Sequence, residues 1–197
     1  MFTNTDFNVF NDPTLDGRMD KIRTIIDPKF EQFATKALEI LKQDGDDWYA
    51  HVAKHRMRNK YAPDNTWVAF STNKRGYKML PHFELGFWQD HLYLYLAVES
   101  NMKPKQLDDI YPKLAAIQPL VAELPDHYFI SRDHMVNQTV PISDYPDAIA
   151  GYQQYKSNEV LVGIKIDHTD PRLGTEQLET DLLKTLQTLI PLYEKLK

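Results

Sequence analysis

The sequence predicts a single α+β domain over residues 1–197, with a mainly antiparallel sheet, a central β-hairpin and flanking helices. Three observations lead to this prediction. Segments with a helical repeat of apolar residues lie on both sides of a group of strand-like segments. Three strand-like segments follow one another with no helix between them, which disfavours a parallel, doubly wound sheet. No internal repeat or Gly/Ser-rich linker marks a domain boundary.

The first helical segment is predicted over residues 12–43, because apolar residues recur there at steps of three and four. Within it, Asp27 before Pro28 is typical of an N-cap followed by a first-turn proline. The segment is therefore either two helices or one kinked helix. Gly45 is expected to end it, since glycine is the residue that most readily adopts the left-handed conformation after a helix.

The next segment is expected to continue as a short helix over residues 47–58, followed by a loop over residues 61–65. Residues 66–72 are rich in β-branched and aromatic side chains, which predicts a strand. A turn is predicted at residues 73–76, where glycine follows two cationic residues.

A hairpin is predicted from residues 79–88 and 91–99, with Gln89 and Asp90 in its turn. A two-residue loop fixes the register and places alternate side chains on opposite faces of the sheet. One face is apolar and is expected to face the core: Phe83, Leu85, Phe87, Leu92, Leu94 and Leu96. The other face is aromatic with polar tips and is expected to lie under loops or line a pocket: His82, Glu84, Gly86, Trp88, His91, Tyr93 and Tyr95.

The remaining predicted elements follow the same two periodicities. Alternating apolar residues predict strands over residues 127–131 and 159–167. Helices are predicted over residues 105–124, 145–156 and 175–196. Pro112 and Pro119 are expected to kink or split the first of these helices, since proline lacks the amide hydrogen that an interior position donates.

Composition excludes several classes of protein. The chain has no cysteine, so it has neither a disulfide framework nor a zinc site built on thiolates. A net charge of −5 and a pI near 5.8 make nucleic acid an unlikely partner. No apolar run is long enough to span a bilayer and no secretory signal is visible, so we expect a cytoplasmic protein without membrane attachment.

The charge is unevenly distributed along the chain. The window from His51 to His82 contains seven cations and one acid, a net charge of +6, so the rest of the chain carries −11. This pattern predicts either a solvated basic face or a site for an anionic small molecule or an acidic partner. The candidate ligand-binding residues in this window are His51, His55, Arg56, Arg58, Lys74, Arg75, Lys78 and His82.

The turn that precedes Lys78 has features suited to a phosphate. Gly76 permits close approach of the backbone, and Arg75 offers a planar fork of donors. A cationic turn with no ligand is an equally good interpretation, because no Walker loop or GxGxxG motif occurs. The strand over residues 66–72 separates the two basic groups by roughly 20–25 Å if it is straight. They meet only if residues 47–60 fold back alongside that strand.

A metal site is not predicted, and no cofactor is expected. His51 and His55 are four residues apart and would share one face of a helix, as the histidines of a zinc-binding HExxH motif do. The intervening residues include no glutamate, and Lys54 would repel a cation. A third ligand would have to come from elsewhere, from His82, His134 or Glu84.

Two further hypotheses stand beside anion binding. The first is an enzyme that uses histidine as acid or base on an anionic substrate, since no cysteine nucleophile or GxSxG elbow is present. Its candidate residues are His51, His55, His82 and His134. The second is a structural or interaction protein whose basic segment docks on an acidic surface of a partner or of a second copy. The oligomeric state is left open.

Several motifs carry a resemblance to a known family. They comprise HVAKH at residues 51–55, NTWVAF at 65–70, NKRGYKMLPHF at 73–83, PDH at 125–127 and SRDH at 131–134. FNVF at residues 7–10 and LDGRM at 15–19 match more loosely. By these motifs the chain resembles the YktB-like family of cytoplasmic proteins from Gram-positive bacteria. The resemblance implies a single α+β domain and brings no assigned activity or catalytic residue.

Overall fold

The computed structural model describes all 197 residues and has an antiparallel sheet at its centre. The seven strands are β1 (Tyr49–Val52), β2 (Asn65–Ser71), β3 (His82–Trp88), β4 (His91–Val98), β5 (Tyr128–Ser131), β6 (Val140–Pro141) and β7 (Val160–Asp167). Their order in the sheet is β1-β2-β3-β4-β7-β5-β6, and every neighbouring pair is antiparallel. The predicted α+β class, antiparallel sheet and flanking helices are confirmed.

The helices are α1 (Leu15–Lys21), α2 (Asp27–Leu41), α3 (Lys103–Ala116), α4 (Gln118–Ala122), α5 (Tyr145–Gln154) and α6 (Glu176–Leu196). Short 3₁₀ turns cover Asn4–Asn11, Lys42–Asp44, Tyr77–Met79, Ser100–Met102 and Ile142–Asp144. The split expected near Pro119 is present between α3 and α4, whereas Pro112 lies inside α3. None of the helices combines the length and the apolarity that crossing a bilayer requires.

A π-helical turn over Ile22–Ile26 joins α1 to α2, so the N-terminal segment is one continuous, distorted helix. The predicted N-cap at Asp27 is wrong, because this residue already has helical dihedral angles and follows a helical residue. Pro28, which has no backbone N–H, is tolerated there because the wider π turn does not require an amide hydrogen at this position. Gly45 ends the segment in the left-handed conformation, as expected.

The helix predicted over residues 47–58 is wrong. Residues Tyr49–Val52 form an edge strand instead, with His51 opposite Ala69 of β2. Aromatic and β-branched side chains suit a strand, and pairing with the exposed edge of β2 satisfies their backbone groups. The segment therefore folds back alongside β2, which is the condition for the basic groups to approach each other.

The hairpin formed by β3 and β4 has the predicted register. Phe87 pairs with Leu92, and the alternation continues so that apolar side chains share one face. That face packs under the helices in the main core. The other face carries a smaller buried cluster, which comprises Trp67, Ala69, Tyr93, Tyr95, Ala97 and Leu161. Loops rather than helices cover it, so this is the face on which polar side chains are held.

A polar cluster buried on the second face of the sheet

Six ionisable side chains meet on the loop-covered face, and we call them the polar cluster: Lys78, His82, Glu84, Glu99, His134 and Glu159. His82 and Glu84 are two residues apart on β3, so the strand points both side chains to this face. Glu99 follows the last residue of β4 and continues the same alternation as Tyr93 and Tyr95. The sheet itself therefore supplies half of the cluster.

The other half comes from loops and strand ends. Lys78 lies in the 3₁₀ turn Tyr77–Met79, which leads into β3. His134 lies in the loop after β5, and Glu159 immediately precedes β7. Five of the six side chains are buried, and Lys78 keeps about a third of its side chain exposed, at 34%. Lys78 thus forms the boundary between the cluster and the solvent.

One part of the cluster is fully hydrogen bonded. Lys78 Nζ donates to Glu99 Oε2 at 3.0 Å and lies 3.3 Å from His134 Nε2. Glu159 Oε2 is 2.6 Å from His134 Nδ1 and accepts the backbone N–H of the same histidine at 3.0 Å. The two contacts with Glu159 fix the orientation of His134 through its Nδ1 and its backbone N–H.

The other part of the cluster lacks partners. His82 Nδ1 lies 2.9 Å from the carbonyl oxygen of Leu80, but its Nε2 makes no hydrogen bond. Both carboxylate oxygens of Glu84, Oε1 of Glu99 and the hydroxyl of Tyr93 are also buried without a partner. A buried polar group left unpaired costs about 1–3 kcal/mol. Glu84 and Tyr93 are thus without any partner, and His82 Nε2 and Glu99 Oε1 have only each other at 3.5 Å, so the cluster carries a destabilisation that calls for a functional explanation.

The electrostatic environment shifts the pKa values of Glu84 and Glu99 in opposite directions. Burial raises the pKa of Glu84, because an ionised carboxylate loses its hydration there. Burial also acts on Glu99, but His82, His134 and Lys78 outweigh it and lower its pKa to about 2. Burial lowers the pKa of His134, whereas its hydrogen bond to Glu159 and the charges of Glu84 and Glu99 raise it, with a net result of about 9.

Aromatic rings surround the cluster. Trp67 Nε1 donates to the hydroxyl of Tyr77 at 2.9 Å, which ties the β2 strand to the turn that carries Lys78. The Lys78 ammonium lies 5.3 Å from the centre of the Trp67 ring, within cation–π range. His134 packs edge-on against the same ring at 5.4 Å. The rings exclude water and strengthen the electrostatic interactions inside.

Four of the eight candidate ligand-binding residues lie at or beside the cluster. Lys78 and His82 belong to it, His51 stacks on Tyr77 at 5.2 Å, and His55 packs against Trp67 at 5.5 Å. The other four make no salt bridge and lie outside the cluster, in the loops before β2 and β3: Arg56, Arg58, Lys74 and Arg75. The basic window therefore divides into four buried or half-buried residues at the cluster and four residues in the two loops outside it.

The expectation that His51 and His55 share a helical face is wrong. His51 lies on β1, with Nε2 2.9 Å from the carbonyl oxygen of Asn73. His55 lies in the following loop with a left-handed φ of 47°, and its Nε2 is 3.1 Å from the hydroxyl of Thr66. Pairing of β1 with β2 separates the two rings and gives each its own hydrogen bond, so they do not act as a pair.

Two members of the cluster are absent from the candidates drawn from the sequence. Glu99 continues the alternation of the buried β4 strand, so a carboxylate at its end, on the parity of Tyr93 and Tyr95, was a detectable signal. Glu159 had no such signal, because its place depends on the loop that brings His134 over the sheet. The sequence does identify Glu84 and His134, but as separate possibilities rather than as neighbours.

The fold and the cluster define an α+β protein with a buried His–Glu–Lys site on one face of an antiparallel sheet. Residues 2–193 match the family described as a domain of unknown function, DUF1054. The chain is 57% identical to a UPF0637 protein of Leuconostoc mesenteroides over 100% of both chains. It is 43% identical to a UPF0637 protein of Lactiplantibacillus plantarum, over 98% of this chain and 94% of that protein. It is 37% identical to one from Bacillus mycoides, over 98% and 95%.

The chain therefore belongs to the DUF1054 family, whose members among these relatives carry the name UPF0637. The YktB-like resemblance of the sequence motifs is consistent with this membership. Neither the family description nor the relatives' names state an activity.

Proposed function

We propose that the protein binds a small anionic molecule, with phosphate or carboxylate groups, at the edge of the polar cluster marked by Lys78. The observation that carries the proposal is the loop before the Tyr77–Met79 turn. Lys74 and Arg75 are exposed there and have no carboxylate partner, while Lys78 reaches inward to Glu99. One short segment thus connects two free cations to a buried polar site.

The loop is also shaped to approach an anion closely. Gly76 has a φ of +76°, a left-handed conformation that glycine adopts without steric cost. The arginine guanidinium presents a planar fork of donors that matches phosphate and carboxylate oxygens. Free cations on a loop of this kind attract anions over about 8–10 Å at physiological ionic strength. An anion held by the loop would extend its other end towards Lys78 and the cluster.

Titration with inorganic phosphate and pyrophosphate tests this proposal. Melting temperature and binding heat are measured on EDTA-treated protein at constant ionic strength, with sodium chloride as the balancing salt. We expect pyrophosphate to raise the melting temperature of the wild type, because a ligand that binds only the folded state stabilises it. Lys74→Ala and Arg75→Ala should reduce this shift at least by half.

The matched control is Lys184→Ala, which removes an exposed cation from α6, on the helix-covered side of the sheet. It should leave the pyrophosphate shift unchanged. The proposal is wrong if neither anion has any effect beyond that of chloride. It is equally wrong if Lys184→Ala reduces the shift as much as Arg75→Ala does, since that result indicates unspecific attraction.

A second candidate function is an enzyme that acts on the same anion. The observation in its favour is the short contact of 2.6 Å between His134 Nδ1 and Glu159, which orients the imidazole as an acid–base pair requires. Incubation with an anion that passes the binding test, followed by mass spectrometry, would reveal a product. A substitution His134→Asn should abolish the product while retaining at least half of the pyrophosphate shift. Loss of both effects would indicate a binding role alone.

A further inference from the structure

We infer that the polar cluster is a binding site for a divalent transition-metal ion, with His82 Nε2, Glu84 and Glu99 Oε1 as its ligands. These three side chains are wholly buried. Both oxygens of Glu84 lack any partner, and Nε2 of His82 and Oε1 of Glu99 have only each other, at 3.5 Å. A metal ion would give Glu84 the partner that the protein itself does not supply and would take the place of the long contact between His82 and Glu99.

The histidine is prepared for coordination. Its Nδ1 lies 2.9 Å from the carbonyl oxygen of Leu80, which accepts the ring N–H. With the proton fixed on Nδ1, the lone pair of Nε2 points into the cluster. A backbone carbonyl that holds the far side of the ring in this way is the usual support of a metal-ligating histidine. Glu99 Oε1 lies 3.5 Å from this nitrogen, so a ligand to one atom is within reach of the other.

A second group of potential ligands, Glu99, His134 and Glu159, lies next to the first. In this second group His134 Nδ1 already contacts Glu159 Oε2, and the Lys78 ammonium, which would repel a metal ion, lies 3.0 Å from Glu99 Oε2 and 3.3 Å from His134 Nε2. The first group includes Glu84, neither of whose oxygens has a partner. Glu99 accepts from Lys78 through Oε2, so metal binding at Oε1 leaves that ion pair intact.

The distances suit an ion of this size. The ligand atoms of His82, Glu84 and Glu99 all lie within 4.8 Å of one another. Two ligands on one zinc ion, each at about 2.0–2.2 Å, lie at most about 4.4 Å apart. A small rotation of one glutamate side chain therefore closes the site.

Charge and ligand type indicate the class of metal. The carboxylates of Glu84 and Glu99 supply two negative charges among the ligands, which a divalent cation would neutralise. The imidazole ligand favours Zn²⁺ over Ca²⁺ and Mg²⁺, which prefer oxygen alone, and the two carboxylates also suit Mn²⁺. Three protein ligands also leave coordination positions open, as in catalytic rather than structural sites. The unpaired Tyr93 hydroxyl lies on this same face.

The inference deepens the proposed function, because an open position on a metal would bind one end of an anion. The metal site does not depend on anion binding, however, and it is tested with the metal ion alone. EDTA-treated, desalted protein is titrated with ZnCl₂ by calorimetry and with MnCl₂ by electron paramagnetic resonance, which counts free Mn²⁺. We expect one ion per chain. Glu84→Gln and His82→Asn should weaken binding at least tenfold.

The matched control is Glu159→Gln, which changes a carboxylate of the second group and is expected to bind the metal within a few-fold of the wild type. Circular dichroism and melting temperature verify that each variant is folded. Because Glu84→Gln removes a buried charge, it is expected to fold even if His82→Asn does not. No binding by the wild type, or a folded Glu84→Gln variant with unchanged affinity, would overturn the inference. Equal loss in Glu159→Gln would move the site to the second group and overturn it as stated.

Discussion

Replacement of Glu84 by methionine should make the metal-free protein more stable. Glu84 is fully buried on the interior strand β3, and neither of its oxygens has a hydrogen-bond partner. Methionine has a similar volume and no charge to desolvate. A buried polar group without a hydrogen-bond partner costs about 1–3 kcal/mol, and the substitution removes that cost. In a chain of this length each kcal/mol raises the melting temperature by about 2–4 °C, so we expect a rise of about 5 °C.

The assay is chemical and thermal unfolding in EDTA, with Glu159→Met as the matched control. Glu159 is also buried, but one of its oxygens accepts from both the backbone N–H and Nδ1 of His134. Removal of one partner of a buried pair costs about 3–5 kcal/mol, so this variant should melt at a lower temperature. If Glu84→Met is destabilised as much as Glu159→Met, Glu84 has a structural role and the reasoning is refuted.

Three further predictions concern the same face of the sheet. Gly86→Ala should destabilise the fold by about 1–3 kcal/mol in urea unfolding, because a Cβ there would lie 2.3 Å from the buried Tyr93 ring; a neutral result contradicts this packing. Gly163→Ala should cost more, since its Cβ would lie 1.9 Å from the backbone oxygen of Leu94, and soluble expression comparable with the wild type would refute that contact. Burial lowers the pKa of His91 to about 4. The contribution of His91 to the free energy of unfolding should therefore be fully present above about pH 6.5 and should fall by up to about 3 kcal/mol towards pH 4, because the unfolded state takes up a proton there. His91→Gln should flatten this pH dependence, and an unchanged slope would contradict the prediction.

The two faces of the hairpin were predictable from the sequence because strand alternation is a local property. A two-residue turn at Gln89 and Asp90 fixes the register, and the register alone decides that Glu84 lies opposite Tyr95 on the polar face. The helical repeat predicted α2 and α6 for the same reason. Local periodicity was therefore sufficient wherever an element's own side chains determine its conformation.

The edge strand and the cluster were not predictable in this way. Residues 49–52 form a strand by pairing with the edge of β2, a long-range contact that the local sequence does not reveal. His134 and Glu159 reach the cluster through a loop and a strand end that are far from β3 in sequence. The basic window drew attention to Lys78 and His82, but the carboxylates that give the site its character lie outside that window. The composition of the cluster depends on long-range contacts, which the charge pattern along the chain does not reveal.

The central claim is that His82, Glu84 and Glu99 together bind a metal ion. Its most direct test is a crystal structure of zinc-soaked protein, with anomalous diffraction recorded above and below the zinc absorption edge. The account predicts an anomalous peak at about 2.0–2.2 Å from His82 Nε2 and from an oxygen of each glutamate. A structure with no peak between these side chains, or with peaks only at surface histidines, would contradict it.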